Sequence, residues 1–98
     1  SDPEAAKWVH FGATSQDVMD TGLVLQLREA FKVIEADLGR AMAATATLAR
    51  VHRDTPMAGR TWLQQALPTT FGLKMAGTLD ALMRHRDRLA EARPRILA

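Results

Sequence analysis

Residues 14–53, TSQDVMDTGLVLQLREAFKVIEADLGRAMAATATLARVHR, run without a proline. Thr14 suits an N-cap, and Asp17, three residues on, completes a capping-box-like pattern in which Asp stands for the usual Glu. Asp17 and Asp20 also put negative charge into the first turn, where the helix dipole favours it. Apolar or small residues recur at Val24, Leu27, Phe31, Ile34, Leu38, Ala41, Thr45, Leu48 and His52. Their spacing alternates between three and four, a heptad-like seam. Arg28, Glu29, Lys32, Glu35 and Arg40 fall off that seam, while Leu23, Ala30 and Val33 widen the apolar face. The pattern predicts one helix over residues 15–53, about 60 Å long at 1.5 Å per residue. Gly39 weakens it without stopping it.

The flanks read differently. Residues 1–14 are expected to be a leading loop, because Asp2-Pro3 resists helix and Gly12 breaks any continuation from Trp8. Residues 54–66 are expected to be an irregular connection carrying Pro56 and Gly59; a loop of that length between helices is uncommon unless it has a function. Pro68 suits the first turn of a second helix over 67–93. Its seam is Phe71, Met75, Leu79, Leu82, Arg86 and Leu89, with Gly72, Ala76 and Gly77 small enough for close helix contact and Pro94 ending or kinking it. No strand pattern, repeat or low-complexity stretch is visible. The expected fold class is therefore all-α: two long antiparallel helices of a larger bundle, forming one partial domain over 1–98. A hairpin of such helices leaves a wide apolar stripe uncovered and needs more helices, from the same chain or from partners. With 98 residues and no initiator Met, the chain is expected to be an internal segment of a longer protein.

Composition narrows the class further. Apolar residues make up 47%, which argues against disorder. The absence of cysteine removes disulfides and Cys-based zinc sites and fits a reducing, cytoplasmic setting. No apolar run approaches the roughly 18 residues of a membrane span, so no membrane is expected as a partner. Net charge is uneven: residues 1–49 carry four Lys/Arg against seven Asp/Glu, residues 50–98 nine against four. A basic half can serve nucleic acid. Here Arg84, Arg86, Arg88, Arg93 and Arg95 are interleaved with Asp87 and Glu91, with no aromatic among them to stack on bases. That is a solvated helix face, and no nucleic acid is expected.

Two segments could carry chemistry. The first is His10-Phe11-Gly12-Ala13-Thr14-Ser15-Gln16-Asp17. It is either a glycine turn followed by an ordinary cap, or an anion site in which free N–H groups at a helix start join two hydroxyls and a nearby imidazole. Imidazole chemistry near neutrality suits proton transfer or anion binding at His10. The second is Gly59-Arg60-Thr61-Trp62-Leu63-Gln64-Gln65. It is either a loop whose Trp62 plugs the core, or a carboxylate site with Arg60 as the charged partner and Thr61, Gln64 and Gln65 as neutral hydrogen-bond groups. His52 and His85 sit in helical patterns and read as structural. No His/Asp/Glu cluster has metal-ligand spacing, and no glycine-rich phosphate loop is present.

The same two segments carry a resemblance. His10 to Thr21, HFGATSQDVMDT, resembles the first sequence block of the fumarase/aspartase superfamily, in the branch shared by adenylosuccinate lyase and the carboxymuconate cycloisomerases. Gly59 to Lys74, GRTWLQQALPTTFGLK, resembles its second block, and order and separation match. GLVLQLREAFKVIEADL (22–38) and RHRDRLAEARPRILA (84–98) are more similar to the bacterial cycloisomerases than to the lyases. In fumarase and argininosuccinate lyase the position of Trp62 is a histidine that takes part in proton transfer. Trp cannot titrate, so that role is lost, and the cycloisomerase branch shares the Trp. PTTFGLK is lyase-like as well, which keeps an adenylosuccinate-lyase-like elimination as the alternative.

The resemblance implies a central helical domain, a homotetramer, and active sites assembled from three blocks on three subunits, with a third, Ser-bearing loop outside this chain. It implies closure of a small tricarboxylate to a γ-lactone in protocatechuate breakdown, the β-ketoadipate pathway, without metal or cofactor. Thr14, Ser15, Gln16, Asp17, Arg60, Thr61, Trp62, Gln64 and Gln65 are then the expected substrate-binding residues, with His10 and Ser15 as catalytic candidates. This chain alone is expected to be inactive. The competing class is a helical oligomerisation or interaction module without catalysis, in which the two segments are dispensable and lie apart. The enzyme reading needs them to converge on one cleft, across subunits.

Overall fold

The computed structural model describes residues 2–97. Ser1 and Ala98, the expected limits of the partial domain, lie outside the described residues. In chain order the elements are α1 (Pro3–Ala6), α2 (Ser15–Val51), β1 (Pro56–Thr61), β2 (Gln64–Thr70) and α3 (Phe71–Ile96).

The all-α reading holds: α2 and α3 pack antiparallel and dominate the molecule. The face that α2 turns to α3 differs in detail from the expected seam. Its half-buried positions include Val24, Leu27, Glu35, Leu38, Met42, Thr45, Ala49 and His52, with Phe31 buried among them. The second row of this stripe, Glu35, Met42 and Ala49, is offset by one residue from the expected Ile34, Ala41 and Leu48, while Val24, Phe31, Leu38, Thr45 and His52 keep the expected places. Ile34, Ala41 and Leu48 are consequently exposed, as are Leu23 and Val33. On α3, Phe71, Met75, Leu79, Leu82 and Leu89 are half-buried, while Arg86 is exposed. Arg93 Nη1 donates to Glu35 Oε2 at 2.8 Å, tying the end of α3 to the middle of α2.

Four expectations need correction. Residues 56–70 are a two-stranded antiparallel hairpin and not an irregular loop, with Pro56 paired to Thr70 at its base and Thr61 to Gln64 near its tip. The ladder slips at Gly59, where two β2 residues oppose one on β1. A Cβ on Gly59 would collide with the Leu67 carbonyl, so the slip requires glycine. The second helix begins at Phe71 and not at 67: Thr70 Oγ1 accepts the Leu73 N–H at 3.1 Å and caps it. Pro94 does not end that helix, which continues to Ile96. The proline removes one donor in the last turns, where Ala90, whose carbonyl loses its partner, is exposed and open to water. Finally, Asp2-Pro3 starts a short helix, since Pro3 sits in its first turn and the Asp2 carboxylate accepts the Glu4 N–H at 2.9 Å.

The molecule measures 76 × 28 × 17 Å with a radius of gyration of 23.4 Å. A compact chain of this length has about 13 Å. Its surface is 8036 Å², against about 5,500 Å² for a compact monomer of this mass. Phe31 is the one buried hydrophobic side chain among the described residues, and large apolar side chains such as Val33, Leu73 and Met83 stand exposed on the long helices. No helix of the described residues is long and apolar enough to cross a membrane.

Candidate functional site

The first segment leads into α2. Trp8 and Phe11 meet edge to face at 5.1 Å, and the turn is closed by Phe11 N–H to Trp8 O (3.0 Å) and Ala13 N–H to His10 O (3.3 Å). His10 and Gly12 both adopt φ of 73°. Gly12 does so without penalty; for His10 the left-handed region costs about 1–2 kcal/mol. At the helix start, Thr14 N–H donates to Asp17 Oδ2 at 2.7 Å, and Gln16 Nε2 to Asp20 Oδ1 at 2.7 Å. Asp17 and Gln16 are thus engaged in building the helix start. Thr14 joins Asp17 in a capping box, and the Asp17 N–H also meets Thr14 O at 3.1 Å; Ser15 and His10 are exposed beside the Ser15 and Gln16 N–H groups of the first turn.

The second segment is the hairpin tip. Arg60 pairs with Gln65 and Thr61 with Gln64, leaving Trp62-Leu63 as a two-residue turn with Leu63 at φ 58°. Ala58, Arg60, Thr61, Leu63, Gln64 and Gln65 line an open cleft of about 530 Å³. Arg60 forms no ion pair among the described residues. Trp62 is 88% exposed, so within this chain it does not plug a core. Sequence reasoning missed Lys74, which joins Arg60 at a second cleft of about 430 Å³ on the hairpin's flank. Its only signal was its place at the end of the second block.

The two non-glycine residues with left-handed backbone among the described residues, His10 and Leu63, fall one in each segment. Such outliers concentrate where function holds a chain against its preference. One copy of the chain does not bring the segments together. They lie at opposite ends of α2, whose 37 residues span about 55 Å. Any single cleft containing both needs a second copy. Energetics point the same way: a helix start at the surface favours an anion by only about 0.3–1 kcal/mol. Asp17 in the same turn opposes it, so the first segment alone is a poor carboxylate site. A guanidinium such as Arg60 would supply the stronger, charge-assisted bonds. Among the described residues no group of three or more His, Cys, Asp or Glu could hold a metal ion.

Comparison with known proteins fits this geometry. The chain is 60% identical over 96 residues to the 3-carboxy-cis,cis-muconate cycloisomerase of Pseudomonas aeruginosa, covering 98% of this chain and 21% of that protein. It is 55% identical over 89 residues to the nitrosuccinate lyase of Streptomyces davaonensis, covering 91% and 19%. The crystal structure of the 3-carboxy-cis,cis-muconate lactonizing enzyme from Pseudomonas putida superimposes with a TM-score of 0.89 at 62% identity, covering 97% of this chain and 22% of that one. The chain thus spans about a fifth of the length of these relatives. It shares with them an all-α segment of the fumarase/aspartase fold. A family model described as Lyase matches residues 1–98, and the chain belongs to that family.

Proposed function

We propose that this chain is a segment of a cycloisomerase that closes 3-carboxy-cis,cis-muconate to 4-carboxymuconolactone in protocatechuate degradation, working in the cytoplasm as a homotetramer. The observation that carries the reading is the 60% identity to a cycloisomerase along nearly the whole chain, with a non-titrating Trp62 at the tip beside Arg60. In the reaction a substrate carboxylate oxygen bonds to one carbon of an activated C=C, and the other carbon, next to a second carboxylate, takes up one proton. Charge builds on that carboxylate as the C–O bond forms. Arg60, with Thr61, Gln64 and Gln65, supplies donors that bind more strongly as it does. The His10–Ser15 helix start of another copy holds a second carboxylate, and His10 or Ser15 handles the proton. Asp17 and Gln16 act through the helix start they build. Trp62 walls the pocket and keeps the diene folded on its own carboxylate, the arrangement from which an intramolecular attack gains most.

A second reading is a β-elimination lyase, of the adenylosuccinate-lyase type or acting on another substituted succinate. The 55% identity to a nitrosuccinate lyase supports it, and the chemistry is the same step run in reverse. The deciding experiment offers the full-length protein 3-carboxy-cis,cis-muconate, nitrosuccinate and adenylosuccinate in parallel. Loss of diene absorbance with a lactone identified by NMR is expected from the first alone. Release of nitrite or AMP without lactone would replace the first reading by the second. Sedimentation of the same preparation is expected to give a tetramer.

A further inference from the structure

We propose that His52 is a positioning residue that aims the hairpin, and through it Arg60 and Trp62, at the substrate. This rests on the reading of the hairpin as a substrate-binding element. Among the described residues the hairpin's main contact with a helix is between β2 and α3, the element that follows it directly. The hairpin's far end lies about 20 Å from its base, at about 3.3 Å per residue over β2. Its direction is therefore set by what grips residues 55 and 70–72. His52 is at the centre of that grip. It is the C-cap of α2, and its carbonyl accepts two N–H groups, Thr55 at 3.2 Å and Gly72 at 2.8 Å. Its ring stands edge to face against Phe71 at 5.2 Å, and Nδ1 lies 3.2 Å from Thr55 Oγ1, within hydrogen-bond distance. Thr55 O in turn accepts the Phe71 N–H at 2.9 Å. One residue thus clasps the chain just before β1 and just after β2. Gly72 fits beneath it only because it lacks a Cβ, which would lie 2.6–2.7 Å from three backbone atoms, one in the last turn of α2 and two just past its end.

The backbone part of the clasp survives any substitution, so the side chain is what mutation tests. A rotation of about 10° at the base carries the tip about 3 Å over that lever. A 1 Å error at a reacting centre can cost about 100-fold in rate. The test uses the full-length protein with whichever substrate the wild type turns over. His52→Ala should lower kcat by about 10- to 100-fold. It should also raise amide hydrogen exchange over residues 56–70 severalfold, with oligomer size and circular dichroism unchanged. His52→Asn, which keeps a polar atom for Thr55, should recover part of the loss. Adding Thr55→Val to His52→Ala should cost little more than His52→Ala alone. Wild-type kcat and KM in His52→Ala would overturn the proposal. Slowed turnover with unchanged exchange at 56–70 would also overturn it, by making His52 a direct participant. Raised exchange with unchanged kinetics would overturn it and, with it, the substrate-binding role of the hairpin, leaving the family assignment intact. If His52→Ala fails to assemble, Thr55→Val alone decides: slowed turnover with looser exchange supports the clasp, and wild-type behaviour in both overturns it.

Discussion

Gly72→Ala in the full-length protein should destabilise it, although alanine is the better helix former. The added Cβ would lie 2.6 Å from Ala49 O and from the Arg53 Cα, and 2.7 Å from His52 O. All three are backbone atoms, so no side chain can swing away. Ordinary contact begins near 3.4 Å, and α3 must therefore retreat by about 0.8 Å. That movement stretches the 2.8 Å bond from Gly72 N–H to His52 O past the limit of a useful hydrogen bond. Overpacking costs about 1–3 kcal/mol, and the lost bond about 0.5–1.5 kcal/mol. Replacing glycine returns at most about 1 kcal/mol of helix propensity, and less at the second position of α3. The net expectation is about 1–4 kcal/mol of destabilisation. Across a strand spacing of about 4.8 Å, the same 0.8 Å tilts the hairpin by about 10°, so turnover should fall as well. Urea unfolding at fixed protein concentration, with kcat on the same preparation, measures both. A variant as stable as wild type, or more so, would refute the close approach of α3 to the end of α2.

Trp62→His should lower lactonisation sharply with the oligomer intact, because it exchanges an apolar wall for a polar, titratable ring; Trp62→Phe should be milder, since it keeps an apolar wall of smaller area. Steady-state kinetics of the two side by side, with circular dichroism as control, checks this, and wild-type rates in Trp62→His would favour the elimination reading. Thr14→Ala and Ser15→Ala should each cut turnover by about tenfold, the scale of one hydrogen bond of about 1.5 kcal/mol, with assembly unchanged. Unchanged kinetics in both would reduce the segment to a helix cap.

The long helix was legible because its pattern is redundant: an unbroken heptad-like apolar seam, no proline, and a cap at Thr14 answered by Asp17. Its inward face was less so, since Ile34 and Glu35 are adjacent and only the packing of α3 decides between them. The hairpin left almost no trace. Its turn is Trp62-Leu63, without the Gly, Asn or Asp that such turns favour, and its strands contain Pro56 and Pro68 and little alternation. Tertiary constraint, not local preference, holds Leu63 left-handed. Thr70 caps α3, but Pro68 two residues earlier offers a competing helix start in the sequence. The candidate residues stood out by chemical type. Their separation by the length of α2 depends on where the helix points, which residue types do not encode. The clasp at His52 stayed hidden because its partners lie on both sides of the hairpin: Thr55 just before β1, and Phe71 and Gly72 at the start of α3.

A sheet of two strands has no interior: β1 and β2 each present an open side to whatever drifts past. Such a ribbon, held away from the helices and tipped with Trp62 and Leu63, is a template for runaway strand addition. Three features of this one interrupt the template. Pro56 and Pro68 each remove a donor, and the slip at Gly59 kinks the ribbon between them. No stretch of either strand offers a long, regular row of donors and acceptors. Replacing Pro68 by valine would improve the local strand preference and, by the same stroke, remove a guard against fibre growth.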